Sequence, residues 1–313
     1  MFTQARGRVL GRAVDLGYAA GWGVVKSVPH GVSRRWFNAV ADAATVRNGG
    51  GTQQLRKNLR RVVGPDCSEL QMDALVGAAL RSYSRYWLET FRLPKMDKRV
   101  VAEQTDAYTL GVENIDAALE KGNGAILALP HMGNWDVAGI WLVHHSGPFA
   151  TVAERLKPDS LFDRFVEYRE GLGFEILPLT GGARPPFEVL RERLRENKVV
   201  CLVADRDLSR SGVQVDFFGE ATRMPGGPAL LAATTGAPLL SAALWFTPDG
   251  WAQVINAPLE VPEGRLRDQV PKLTQAVAHQ FETDIAAHAA DWHMLQKLWL
   301  ADLPPRGRPD EDG

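Results

Sequence analysis

From Gly122 onward the sequence alternates short apolar runs with helical stretches, and that alternation constrains the fold more than any other feature. Residues 125–129, Ala-Ile-Leu-Ala-Leu, read as a strand followed by a helix over about 135–146. Runs at 149–153, 174–178 and 199–204 read as further strands, with helices near 159–171 and 185–196 between them. Unbroken apolar strands separated by helices imply a largely parallel sheet covered on both faces. A strand over 213–218, a helix over about 227–235, and strands over 239–246 and 252–255 follow, the tight spacing of the last two predicting antiparallel edges. A helix over 267–288 and the segment 292–300 close the fold.

The first hundred residues read differently, as helices over about 9–28, 33–46, 53–62 and 68–91, broken at Pro29, at 47–51 and at Gly64-Pro65. In the last of these, Leu70, Met72, Leu75, Leu80, Tyr83, Tyr86, Trp87 and Phe91 recur close to helical spacing and mark a core face. The expected class is α/β, a central mostly parallel sheet flanked by helices with a helical N-terminal region. Its expected parts are a helical, membrane-associating region over 1–100 packed on the core, an α/β core over 101–303, and a disordered tail over 304–313. No repeat of fixed period appears, which argues against a solenoid.

A formal net charge of -1 conceals an asymmetry: the first 61 residues carry eleven Lys or Arg against Asp15 and Asp42. Such a segment attracts either nucleic acid or an anionic membrane, and its apolar content points to the membrane. Leu10, Val14, Leu16, Tyr18, Trp22 and Val25 are interleaved with Arg12, Asp15 and Lys26, which breaks any transmembrane span. No small-residue cleavage site follows, so a signal peptide is the weaker reading. An interfacial helix with snorkelling basic groups fits best, the alternative being a helix packed on the core with a solvated basic face. Cys67 and Cys201 are too few and too far apart for a disulfide framework or a zinc site.

Ligands in parallel sheets gather beyond the carboxyl ends of strands. There the first strand runs into Pro130-His131-Met132-Gly133-Asn134-Trp135-Asp136. On a continuous helix the His131 and Asp136 side chains would stand about 140° apart, but a bend at Gly133-Asn134 lets the carboxylate fold back to the imidazole. A carboxylate that holds one ring nitrogen leaves the other to take a proton from a hydroxyl, with no serine or cysteine nucleophile required. Taken alone, such a pair is equally a strand-end histidine hydrogen-bonded to a neighbour. Asp205, in Asp205-Arg206-Asp207, emerges at the same sheet end and is either a second carboxylate on the imidazole or part of a local ion-pair network. Phe217-Phe218-Gly219, followed by Arg223-Met224-Pro225-Gly226-Gly227-Pro228, is either an apolar slot or a hairpin with a buried aromatic pair.

Together these blocks resemble the bacterial lysophospholipid acyltransferase superfamily, in the branch of the lipid A late acyltransferases: strand-HxxxxD at His131 and Asp136, the DxD-like Asp205-Arg206-Asp207, and Phe-Phe-Gly leading to Gly-Pro-Ala-Leu-Leu-Ala. Within that branch RNGG at 47–50, YWLETFRLP at 86–94, LPHMGNWDVAGIWLV at 129–143, TVAERLKP at 151–158, RFVEYRE at 164–170, LPLTGGARPPFEVL at 177–190, VQVDFFGEATRMPGGPALLA at 213–232 and ADWHMLQ at 290–296 look like the actinobacterial phosphatidylinositol mannoside acyltransferases. The resemblance covers all but the extreme termini and weakens at 257–280.

It implies a glycerolipid acyltransferase-like fold and transfer of an acyl group, typically palmitoyl, from acyl-CoA as co-substrate to a mannose 6-hydroxyl of mono- or dimannosylated phosphatidylinositol. It implies no cofactor and no metal, and a peripheral place on the anionic cytoplasmic face of the inner membrane, with no nucleic acid partner. Carried to matching positions, His131 is the base with Asp136 and Asp205 as its acids. Glu154 and Arg169 match acceptor-binding positions, and Arg206, Arg210 and His293 are further phosphate or head-group contacts. Two rivals remain. A lipid-binding or transfer protein would use the same groove without chemistry, and a metal enzyme at His131 lacks the second nearby histidine a zinc site wants. A dinucleotide fold is disfavoured because Gly122-Asn123-Gly124 precedes a strand instead of following one.

Overall fold

The computed structural model describes residues 28–154, 159–207 and 212–303. The expected interfacial helix over 9–28 and the tail over 304–313 fall almost wholly outside them. Helices α1 (His30–Arg47), α2 (Gly50–Val63) and α3 (Glu69–Arg92) lead into α4 (Lys98–Asp106), the short strand β1 (Thr109–Leu110) and α5 (Val112–Glu120). The chain continues through β2 (Ala125–Leu129), α6 (Trp135–Ser146), β3 (Ala150–Ala153), α7 (Asp159–Glu170), β4 (Glu175–Pro178), α8 (Pro186–Arg195) and β5 (Val199–Val203). It ends with β6 (Val213–Phe217), β7 (Glu220–Met224), α9 (Gly227–Thr235), β8 (Leu239–Phe246), β9 (Trp251–Ile255) and α10 (Leu266–Ala287).

Seven strands form one sheet in the order β1-β9-β8-β2-β5-β3-β4. The five from β8 to β4 run parallel, β9 turns back antiparallel beside β8, and β1 lies parallel to β9. The predicted antiparallel pairing of the last two strands is therefore present, but their edge position is not. The helical crossover α9 returns β8 alongside β2, with Ile126 opposite Leu239, so β8 is interior and the unpredicted β1 covers β9. Every residue of β2 is buried, because one face meets α4, α5 and α6 and the other meets α2, α3, α9 and α10. Coverage on both sides is why the run is apolar without alternation.

Helix α3 starts with a full capping box, Ser68 accepting from the Gln71 amide while the Gln71 side chain accepts from Ser68 N. Of its expected core face, Met72, Leu80 and Tyr86 are buried, whereas Leu70 in the first turn is 81% exposed. The basic N-terminal segment is partly spent inside the fold. Arg56 and Arg60 pair with Glu69, and Arg61 pairs with Glu220 and Asp302. Strands β6 and β7 form a separate ribbon in which Phe217 is fully buried and stacks on Trp299, with ring centroids 5.8 Å apart. The Phe217-Phe218 block is thus a hairpin in which Phe217 is buried and Phe218 half-buried.

Candidate active site

Register sets the geometry. Strands β2 and β5 are hydrogen-bonded neighbours with Leu129 opposite Val203, so His131 and Asp205, each two residues beyond its strand, meet at the same level. His131 Nδ1 lies 2.5 Å from Asp205 Oδ1, and Asp205 Oδ2 accepts the His131 backbone N–H at 2.9 Å and the Trp292 indole N–H at 2.9 Å. Asp205 is fully buried. Burial alone would raise its pKa, but the imidazole and these donors hold the carboxyl below its ordinary value, so it is ionised and accepts. Nδ1 is therefore the N–H that donates to Asp205, on a side chain that is 33% exposed.

The expected pairing of Asp136 with His131 does not occur. Gly133 does make the bend, with φ +56, and a Cβ there would meet the Leu244 backbone at 2.6 Å. Asn134 then caps α6 by accepting from the Val137 amide at 3.2 Å. Asp136 thereby enters a regular helix, where its carboxylate, fully buried, accepts from Arg169 Nε at 2.8 Å and leaves Oδ2 without a hydrogen-bond partner. Burial works against the Arg169 charge, yet Asp136 keeps that guanidinium's pKa above its ordinary value.

Behind the His131 loop stands a support the sequence did not reveal. His293 N donates to His131 O at 2.7 Å, and Gly133 N donates to Asp291 O at 2.9 Å. The buried Glu89 of α3 accepts from Asn134 Nδ2, Trp251 Nε1 and Arg85 Nε, each at 2.7 Å. His293 itself is buried between α3 and the loop, its Nε2 2.9 Å from Ser82 Oγ, which donates to Asp291 at 2.5 Å. Burial, then the nearby His131, push its pKa down to about 3, so it is neutral. Glu89 and Trp292 fall in stretches that carry the family resemblance, but no local spacing singles them out.

A cavity of about 290 Å³ opens at His131 and runs between α6 and one sheet face. Its wall is mostly apolar, from Leu127, Leu129, Trp141, Ile176 and Val203 among others, with His131, Asp136, Glu154, Arg169 and Arg206 among its polar groups. Glu154 is exposed at the end of β3. The fold thus gathers His131, Asp136, Glu154, Arg169 and Arg206 around one space, places Asp205 directly behind the imidazole, and sets His293 behind the loop outside the wall. Arg210 lies outside the described residues. Among those residues no group of three or more His, Cys, Asp or Glu side chains is placed to hold a metal ion.

A family model of the bacterial lipid A biosynthesis acyltransferases matches residues 3–301. The chain belongs to that family. This acyltransferase is 55% identical over 298 residues to the phosphatidylinositol mannoside acyltransferase of Mycolicibacterium smegmatis, covering 95% of each chain. Against the phosphatidylinositol mannoside acyltransferase of Mycobacterium tuberculosis H37Rv the identity is 54%, over 95% of this chain and 92% of the other. The resemblance read from the motif blocks is borne out. Among solved structures, the crystal structure of the 1-acyl-sn-glycerophosphate acyltransferase PlsC from Thermotoga maritima aligns with a TM-score of 0.37 and 15% identity, over 78% of this chain and 99% of that one.

Proposed function

We propose that this acyltransferase moves a fatty acyl group, palmitoyl foremost, from acyl-CoA to the mannose 6-hydroxyl of a mono- or dimannosylated phosphatidylinositol, with His131 as general base. One observation carries the reading: an imidazole fixed through Nδ1 by an ionised, buried Asp205 lines a largely apolar cavity. A lipid carrier would need the cavity but has no use for that oriented base. The acceptor hydroxyl gives its proton to Nε2 as its oxygen bonds to the thioester carbonyl carbon, and the carbonyl π pair moves onto oxygen. When that pair returns, the C–S bond breaks and the departing thiolate takes the proton from the imidazolium. Glu154 at the mouth suits hydrogen bonds from sugar hydroxyls, while Arg169 and Arg206 suit anionic parts of either substrate.

Peripheral binding to an anionic cytoplasmic membrane face belongs to the same reading. Val32, Trp36, Val40 and Val46 line one side of α1 and are exposed, Trp36 by 63%, beside the exposed Arg35 and Arg47. An indole and valines flanked by arginines suit a headgroup boundary. Among the described residues no helix is long and apolar enough to cross a membrane.

The test is mass spectrometry of products after incubation with palmitoyl-CoA and mannosylated phosphatidylinositol acceptors. Wild type yields a monoacylated mannose product and free CoA, and His131→Ala yields neither above background. A His131→Ala protein as active as wild type overturns the reading.

A further inference from the structure

The cavity has a built floor. Phe149 immediately precedes β3 and Phe174 immediately precedes β4, both at the amino-terminal edge of the sheet, whereas His131 stands beyond the opposite edge. Pairing Ala150 with Val200, and Val200 with Ile126, sets Phe149 level with Ala125. From Ala125 to His131 the strand direction advances about 20 Å at ~3.3 Å per residue, the scale of an extended palmitoyl chain.

Phe174 closes that depth, and two glycines fix its seat. A Cβ on Gly139 of α6 would lie 2.4 Å from Phe174 Cζ, so the ring rests against the helix at the one place where a side chain is missing. Gly173 turns the chain into β4 with φ +99, a conformation L side chains rarely adopt, and a Cβ there would stand 3.0 Å from Val143 Cγ1. On its other side the ring meets Phe149, with centroids 4.7 Å apart and planes inclined 40°. Both rings are almost wholly buried, Phe149 at 4% and Phe174 at 6% exposure. A ring held between a helix backbone and a second ring has nowhere to retreat when a longer chain presses on it.

We propose that Phe174, seated on Gly139 and backed by Phe149, sets the longest acyl chain the enzyme accepts. This rests on the reading that the cavity receives the acyl group of the donor. The terminal methyl meets the Phe174 ring while the thioester carbonyl is still beside His131. One methylene too many then lifts the carbonyl away from the base.

The experiment measures kcat/KM for a saturated acyl-CoA series from lauroyl to arachidoyl, with the full chain and a fixed mannosylated acceptor. Phe174→Leu, which keeps an apolar side chain in place, and Phe174→Ala both raise the stearoyl-to-palmitoyl ratio, by about tenfold or more for a pocket that gates a methylene step. Gly139→Ala drives the ring into the cavity and moves the preference toward shorter chains. Ile255 on β9 also lines the cavity but stands level with Leu129 by register, away from the Phe174 edge, so Ile255→Ala is the control and keeps the wild-type order. Folded Phe174 variants with the wild-type order, or an order that follows Ile255 instead, overturn the floor. A wild type inert toward every acyl-CoA overturns both the floor and the donor reading, which separates the two failures.

Discussion

Arg169 Nε donates to Asp136 Oδ1 at 2.8 Å, so the aspartate five residues after His131 answers a guanidinium and not the imidazole. The two acids of the site therefore have separable effects. Asp205→Asn removes the acceptor that fixes the Nδ1 proton and lowers kcat by about 100- to 10,000-fold. Asp136→Asn leaves a buried guanidinium without its carboxylate and costs on the order of 3 kcal/mol of stability. Its loss of kcat is the smaller of the two. Steady-state kinetics beside urea denaturation check both, and equal kinetic losses with unchanged stability for Asp136→Asn would contradict the assignment.

Gly133→Ala places a methyl group 2.6 Å from the Leu244 backbone at a positive φ. The 130–134 loop must shift to accept it, carrying His131 out of its place at the cavity wall. Misplacement of a reacting group by about 1 Å costs on the order of 100-fold in rate. We expect kcat to fall by that order while the far-ultraviolet circular dichroism stays that of wild type.

Glu89 gathers three donors from α3, β9 and the His131 loop. Glu89→Ala strands the Asn134 amide and the Trp251 indole, at about 1–3 kcal/mol for each buried group left unsatisfied, while Arg85 keeps its bonds to the Thr247 and Gly250 carbonyls. The expected result is a protein several kcal/mol less stable, read from its denaturant midpoint. Asn134→Ala removes one of these contacts, and the double variant is less destabilised than the sum of the singles.

His293 gives the fold an acid sensitivity with a definite sign. Its pKa is pushed down to about 3 by burial and the nearby His131, below an unfolded value near 6.5. The unfolded chain then binds the proton first, so stability from this group is full above about pH 6.5 and falls at about 1.4 kcal/mol per pH unit toward pH 3. Asp284 and Asp291, whose pKa values burial raises, oppose this slope. The measurement is therefore a difference. Urea midpoints from pH 7 to pH 4 decline less steeply in His293→Gln than in wild type, and parallel curves would contradict the prediction.

The β-α succession from 125 to 246 was largely legible because strands buried on both faces are apolar throughout and their helices are periodic; β2, α6, α9 and β8 stand where the pattern puts them. Helices α4 and α5, nine residues each, escaped because so short an amphipathic pattern barely rises above a loop. Strand β7, Glu-Ala-Thr-Arg-Met, escaped because only pairing with β6 makes it a strand. At the site, His131 and Asp205 were legible as residues just past strands, and the register joins them. Asp136 misled because closeness in sequence suggested a partnership that a regular helix start denies. Trp292 and Glu89 were invisible for the opposite reason, since their contacts join distant parts of the chain.

His131 and Asp205 follow strands β2 and β5, yet the segment 291–293 holds both in place through the Trp292 indole and the amide of His293. Synthesis delivers that segment long after either strand. A ribosome-bound chain that has already made His131, Asp205 and the cavity walls between them still lacks the clamp that aligns them. The brace on this pair is thus among the last parts of the described fold to be made.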